Sequence, residues 1–380
     1  MGELHDPVEK QRRVARIKAD IEEALDGFIP PPGAPRICTY PLDESIIEFE
    51  LEVFHHVPTM LPEERGTFLL VEHVLKEILG TESPDEADAF FVPLYFPVHE
   101  TEEINIEAAM SELEYIDSGK KHILCSPWDT YPRPVMRRAN RYCVIAGQRY
   151  GHLEWLEKQH WLDDRFILFT KESTVDLHPN DIGILPAILP GPAGPPASER
   201  PLLYSFCGVL CYDTMVPNHV RGVGNLPHWL SMRESQAPDV FVGSLHDAQK
   251  RFGSNTTFRD LPAMSRFTLC PAGWARWSFR LMEAVAAGSI PVLLSDYYVR
   301  PFTPWVDWDR FSLRLPERAL SQIDPILRSL PARKIDGLSQ TCRPEAAGLD
   351  YRSMAQWIIA ALTKRVATNP SSPNPPTDTH

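Results

Sequence analysis

The sequence predicts an α/β protein built from two Rossmann-like domains, and three observations carry that expectation. A strand, a loop, a helix and a second strand follow one another between Ser265 and Asp296, which with the usual right-handed crossover makes two parallel strands. Pro186–Arg200 is a run of Pro, Gly and Ala with almost no core material, and it divides the chain. Finally, 380 residues with 43% hydrophobic content can fill two cores, while 37 prolines argue against a helical bundle. The expected division is an N-terminal amphipathic helix over 1–32, a first domain over 33–190, a second over 200–345, a C-terminal helix over 346–367 and a disordered tail over 368–380.

The unit at 265–296 is the most legible part of the chain. Phe267–Cys270 is a short apolar strand that stops at Pro271, and Ala272 and Gly273 break the pattern into a loop. Ser278 is a favoured N-cap ahead of strong helix formers, Gly288 and Pro291 stop the helix, and Ile290–Leu294 reads as a buried strand. The helix N-terminus therefore lies at the carboxyl edge of the sheet, where its free N–H groups together with Arg276 and Arg280 would suit an anion such as a diphosphate. Helical spacing puts Arg280, Glu283 and Ala287 on one stripe and Leu281, Ala284, Val285 and Gly288 on the core stripe. Glu283 stands among apolar neighbours, so its carboxylate needs partners. A ribose diol would supply two donors; pairing with Arg280 on a helix surface is the competing reading.

From the N-terminus, Pro7–Phe28 is an amphipathic helix whose basic residues are followed at once by Asp20, Glu22 and Glu23, a solvated face rather than a membrane surface. Arg36–Tyr40 reads as a strand, Gly66–Leu79 as a helix and Ala89–Tyr95 as a buried strand after a run of acids. Ile104–Leu113 should be helical, and Lys121–Asp129 a strand ending in a polar turn. Further strands are expected at Phe166–Phe169, Ile182–Leu185 and Leu202–Val209, a helix over Leu315–Leu330 after Phe311–Leu313, and a long helix over Tyr351–Val366. That last helix carries Met354, Trp357, Ile358, Ala361 and Leu362 on one side and is expected to cross back to the first domain.

Composition removes several classes of function. A net charge of -13 excludes a nucleic-acid polymer as partner, since phosphate neutralisation needs clustered Lys and Arg. There is no apolar stretch of about eighteen residues and no signal peptide opening at Met1–Asp6, so a cytoplasmic protein is expected. Seven scattered cysteines make no disulfide framework, and Cys207 with Cys211 lacks a second pair for zinc. His55 and His56 lack a third ligand, and Asp307-Trp308-Asp309, although of D-x-D form, follows the nucleotide-type unit and is read as packing plus solvated acids; no metal is expected. Gly222-Val223-Gly224 begins like a dinucleotide fingerprint, but Pro227 stands where the third glycine belongs, so a dehydrogenase reading fails.

Phe267-Thr268-Leu269-Cys270-Pro271, Gly273, Ser278-Phe279-Arg280-Leu281-Met282-Glu283-Ala284, Gly288-Ser289-Ile290-Pro291-Val292, Ser295-Asp296, Pro301-Phe302 and Val306-Asp307-Trp308 occur in one order. This line resembles the exostosin family, glycosyltransferase family 47, with Thr268 where the family usually has Cys. The likeness extends to Ser83–Tyr95, to Cys207-Gly208 with Arg221 as the match to a family arginine, and to His122–Asp129, where Trp128 and Asp129 stand in inverted order. The resemblance implies a GT-B fold, with acceptor on the first domain and UDP-sugar on the second, and an inverting transfer to a carbohydrate acceptor in polysaccharide biosynthesis or protein glycosylation.

On that reading Ser265, Pro271, Gly273, Arg276, Ser278, Arg280 and Glu283 surround the donor, and Arg221 with Arg280 neutralises the leaving diphosphate in place of a metal. Simple surface solvation is the alternative for Arg221. Asp129, a carboxylate after a strand end, is the candidate general base, with an Asx turn after Pro127 as its alternative. The resemblance also leaves open a non-catalytic glycan-binding or partner subunit, homo- or hetero-oligomers, and peripheral contact with a membrane where the acceptor lies.

Overall fold

The positions of the apolar runs dictate two sheets. The computed structural model of the chain describes residues 7–41, 62–95, 113–126, 165–170, 181–184, 194–211, 220–234, 237–273, 278–296, 300, 302, 305–343 and 348–367. The first sheet is β1 (Ile37–Thr39), β2 (Ala89–Tyr95), β3 (Lys121–Ser126), β4 (Phe166–Thr170) and β5 (Ile182–Gly183), in that spatial order and parallel throughout. The second contains β6 (Leu202–Cys207), β7 (Val240–Gly243), β8 (Ser265–Pro271), β9 (Ile290–Leu294) and β10 (Leu313–Leu315) in the order β10-β9-β8-β6-β7, again all parallel. Continuous burial of β6, β7 and β9 is what a parallel sheet covered on both faces requires. This is the two-sheet parallel α/β architecture that the sequence predicts.

Strand order fixes where a ligand can sit. From β6 the chain turns to β7 on one side, and from β8 it turns to β9 on the other. Right-handed crossovers place the two connections on opposite faces, which opens a crevice at the carboxyl ends of β6 and β8.

The helices close the faces. In α1 (Pro7–Leu25), Ile17, Ile21 and Leu25 recur every four residues and are buried against α2 (Pro62–His73), which continues into a single wide π-type turn over Val74–Ile78. α3 (Leu226–Glu234) and α4 (Leu245–Phe252) flank β7, and α5 (Asp260–Met264) packs on β6 and β8; α4 is fixed by a reciprocal cap in which Ser244 and Asp247 bond each other's backbone N–H. α6 (Phe279–Ala286) joins β8 to β9, and α7 (Ile323–Arg328) and α8 (Ala332–Thr341) follow β10.

α9 (Tyr351–Val366) crosses back as expected. Its Met354, Ala355, Ile358, Ile359, Ala361 and Leu362 are buried in one core with α1, α2 and the apolar stripe of α6. Arg365 donates to the Asp181 carbonyl at 2.8 and 3.1 Å ahead of β5, and Arg352 reaches the Ala24 carbonyl at 3.3 Å. Trp357 packs on Phe302, ring centroids 5.3 Å apart, and Phe302 holds a left-handed backbone at φ 57° to reach it.

The end of the Pro/Gly run is pinned rather than loose. Arg200 is 2% exposed, and its guanidinium donates to the carbonyls of Pro195, Pro262, Ser265 and Ala287 at 2.7 to 3.2 Å.

Two expectations need correction. The helix expected over Leu315–Leu330 is instead the end of β10, a 3-10 turn over Glu317–Gln322 and the short α7, because Pro316 disfavours helical backbone in the residue before it. The helix expected over Gly66–Leu79 begins earlier, at Pro62, and gives way to the π-type turn after His73. Residues 225–264, which carry no assignment from sequence, hold β7 and three helices. The expectations for 104–112, for the turn at 127–129 and for the tail lie outside the described residues. Among the described residues no helix is long and apolar enough to cross a membrane.

Candidate functional site at the carboxyl edge of the second sheet

β8 delivers the site. Its ladder with β9 runs to Pro271 opposite Leu294, and the Ala272 N–H extends it by donating to the Leu294 carbonyl at 3.2 Å. Pro271 is buried at the strand end, and Gly273 opens the loop. α6 then starts at Ser278, which has extended backbone (φ -143°, ψ 138°) and accepts the Arg280 N–H on its hydroxyl at 3.3 Å. Ser278 thus caps the helix, and the first turn of α6 faces the carboxyl edge with its dipole positive.

Arg280 and Glu283 pair one turn apart on α6, Nη1 donating to Oε2, with side chains 15% and 23% exposed. The Arg280 guanidinium lies 4.6 Å from the centroid of the Phe258 ring, in the segment before α5. Burial pushes the Glu283 carboxyl above its usual range, and Arg280 and, more weakly, Arg259 pull the other way. The pair is therefore real, as one sequence reading had it, but it is not a solvated surface pair: it is half enclosed over the ends of β6 and β8. The Cys207 thiol at the end of β6 is pushed up to about 11 by burial, with Arg280 opposing, and Cys270 in β8 is raised for the same reason. Both thiols stay protonated at neutral pH and do not serve as nucleophiles.

Arg221 lies beyond the end of β6, 6% exposed. Its Nη2 donates to the Val209 carbonyl, and its guanidinium sits 5.4 Å from the Phe206 ring centroid. Surface solvation is thereby ruled out for Arg221. The residue before it is fixed on both polar groups, Val220 N–H to Glu317 Oε2 at 2.9 Å and Val220 carbonyl to Trp229 Nε1 at 2.8 Å.

One expected donor contact is misplaced. Ser265 is the first residue of β8, fully buried, with Oγ 2.7 Å from both Ser205 Oγ and the Leu261 carbonyl. A seven-residue strand separates it from the carboxyl edge, roughly 20 Å, so its work is to tie strand ends together. Arg276 and Asp129 lie outside the described residues. Pro271, Gly273, Ser278, Arg280 and Glu283 do come together on one edge, with Arg221 beside them.

Phe258, Arg259, Glu317 and Trp229 belong to the same edge and were not singled out from sequence. Their partners are 9 to 97 residues away, a separation that periodicity does not report. Trp308 is buried, Asp307 accepts the Asp309 N–H at 3.2 Å, and Asp309 is bound by Arg300, so these acids hold a turn. Among the described residues no three His, Cys, Asp or Glu side chains are grouped to hold a metal ion.

The edge can thus take an anion between a helix N-terminus and two arginines, with a carboxylate within one turn to accept hydroxyl donors. Comparison with known proteins agrees with that chemistry. The Exostosin GT47 domain model matches residues 67–330. Exostosin-1 of Drosophila melanogaster is 40% identical over 266 residues, which is 62% of this chain and 31% of that protein. A probable beta-1,4-xylosyltransferase of Arabidopsis thaliana, IRX10, is 40% identical over 80 residues, 21% of this chain and 19% of its own. A probable glucuronosyltransferase of Oryza sativa subsp. japonica, GUT1, is 45% identical over 69 residues, 18% and 16%. The chain matches about a third or less of the length of these relatives.

Proposed function

The chain belongs to the exostosin family, glycosyltransferase family 47, and from that premise we propose that it transfers a sugar from a UDP-sugar to a carbohydrate hydroxyl with inversion at the anomeric carbon. The bond from that carbon to the β-phosphate oxygen breaks as the bond to the acceptor oxygen forms. The acceptor proton passes to a base, for which we retain Asp129, and the electron pair leaves on the diphosphate. Arg221, Arg280, Arg276 and the N-terminus of α6 supply the positive charge that this leaving group needs, so the reaction calls for no metal ion. Pro271 and Gly273 shape the floor beneath it.

The observation that supports the proposal is the half-buried Arg280–Glu283 pair in the first turns of α6 after β8, with the buried Arg221 lying past the end of the neighbouring β6. Arg280 and Glu283 satisfy each other. A nucleoside diphosphate offers each a better partner, phosphate for the guanidinium and the ribose diol for the carboxylate. Binding is then an exchange of partners that leaves no buried charge alone.

Glu283→Ala should weaken UDP binding at least ten-fold by calorimetry, about the worth of a charge-assisted hydrogen-bond pair, with circular dichroism unchanged. Unchanged affinity removes Glu283 from the site. Because the relatives are named as xylosyl- and glucuronosyltransferases, UDP-xylose and UDP-glucuronate head the panel for a UDP-release assay with and without acceptor glycans. The mutual satisfaction of Arg280 and Glu283 also suits a glycan-binding or partner subunit that never turns over. UDP binding without release on any acceptor would favour that second role.

A further inference from the structure

Glu317 is a buried carboxylate, 8% exposed, at the start of the 3-10 turn after β10. It joins three backbone segments at the edge where the donor is proposed to bind. Oε2 accepts the Val220 N–H at 2.9 Å. Oε1 accepts the Asp296 N–H at 3.4 Å at the end of β9. Asp296 reciprocates, its Oδ1 accepting the Glu317 N–H at 3.1 Å. The carboxylate accepts from both backbone donors and thereby fixes their positions.

The strand order shows why this matters. β6, from which the Arg221 segment departs, and β10, from which Glu317 departs, are separated by β8 and β9. Three inter-strand spacings make about 14 Å. The hydrogen bond from Val220 to Glu317 therefore ties the Arg221 segment to the far side of the sheet from β6. Trp229 secures the other side of the same peptide by donating to the Val220 carbonyl at 2.8 Å. With Val220 anchored at both its N–H and its C=O, the direction in which Arg221 leaves the backbone is fixed.

We propose that Glu317 is a positioning residue for donor binding: by holding the Val220 peptide and the Asp296 turn together, it aims the Arg221 guanidinium at the diphosphate. The inference rests on the donor reading of Arg221 given above. It explains the cost of burying a carboxylate beside a strand end, since either oxygen serves a different segment. A glutamine in the same place offers one acceptor and turns an amide donor toward the other N–H, so it can satisfy only one of the two.

A double-mutant cycle in the full chain tests this, with UDP affinity by calorimetry as the readout and circular dichroism as the check on folding. Arg221→Ala and Glu317→Ala should each weaken UDP at least about ten-fold. The double variant should bind no more weakly than Arg221→Ala, because Glu317 has nothing left to aim. Glu317→Gln should fall between wild type and Glu317→Ala. If Glu317→Ala does not fold, Glu317→Gln and Trp229→Phe carry the same cycle against Arg221→Ala. Multiplicative losses in the double variant, or a Glu317 variant that binds UDP as wild type does, overturn the inference while leaving the donor reading intact. A harmless Arg221→Ala, or no UDP binding by the unsubstituted chain, overturns that reading and the inference with it.

Discussion

Replacing Arg200 by methionine removes a buried cation while keeping most of its length and apolar stem. Its guanidinium donates four hydrogen bonds, to Pro195, Pro262, Ser265 and Ala287, which connect the end of the Pro/Gly run to α5, to the start of β8 and to the end of α6. Four bonds from a charged donor at about 1.5 kcal/mol each stabilise the fold by about 6 kcal/mol. Burial pulls the other way: it lowers the guanidinium to about 10, and holding the charge there costs about 3 kcal/mol. The balance predicts that Arg200→Met destabilises the protein by about 3 kcal/mol. Urea unfolding followed by circular dichroism measures this, with comparison at equal slope so that the loss belongs to the folded state. A loss below about 1 kcal/mol would refute the reasoning, because it would mean that the carbonyls are served as well by water as by Arg200.

Three further outcomes follow from the same physics. Burial raises the Glu283 carboxyl above its ordinary 4.5, so the folded state holds this proton more tightly than the unfolded chain does. Its contribution to stability is therefore full below 4.5 and is lost as pH rises through the raised value; Glu283→Gln should flatten that part of the stability profile, and a profile identical to wild type counts against it. If the carboxylate form accepts the ribose diol, UDP-sugar affinity rises with pH over the same window, and that rise should be missing in Glu283→Gln by calorimetry. Gly288→Ala should cost about 2 kcal/mol in chemical unfolding, since Gly288 has φ 66° and an added Cβ would lie 3.1 Å from the Cys342 carbonyl and 3.3 Å from Arg200 Nη2. A stabilised variant would show that the turn relaxes.

The unit from β8 to β9 was legible because its local rules agree. Pro271 ends the strand, Ser278 caps the helix, and Gly288 takes the left-handed turn that lets the chain return to Ile290. Donor-side residues at that edge follow from this topology alone. Ser265 was misjudged because closeness in sequence to the loop hid the length of a strand between them. Within the helix expected over Leu315–Leu330, Leu315, Leu320, Ile323, Leu327 and Leu330 do face one core, but from a strand, a 3-10 turn and a short helix in succession. In α3 only Trp229 is buried, and β7 has four residues, so neither has enough period to read. Glu317 looks like an ordinary surface acid in sequence; its burial is decided by Val220, 97 residues away.

The return of α9 makes the first half of the molecule discontinuous along the chain. Its core is sealed by Met354, Ile358 and Leu362, and its last strand is gripped by Arg365, all of which emerge during synthesis only after the whole second half. A fragment cut at residue 190 lacks this seal and leaves the apolar sides of α1 and α2 wet. On the ribosome, then, the half made first waits for a helix that follows the whole of the second half.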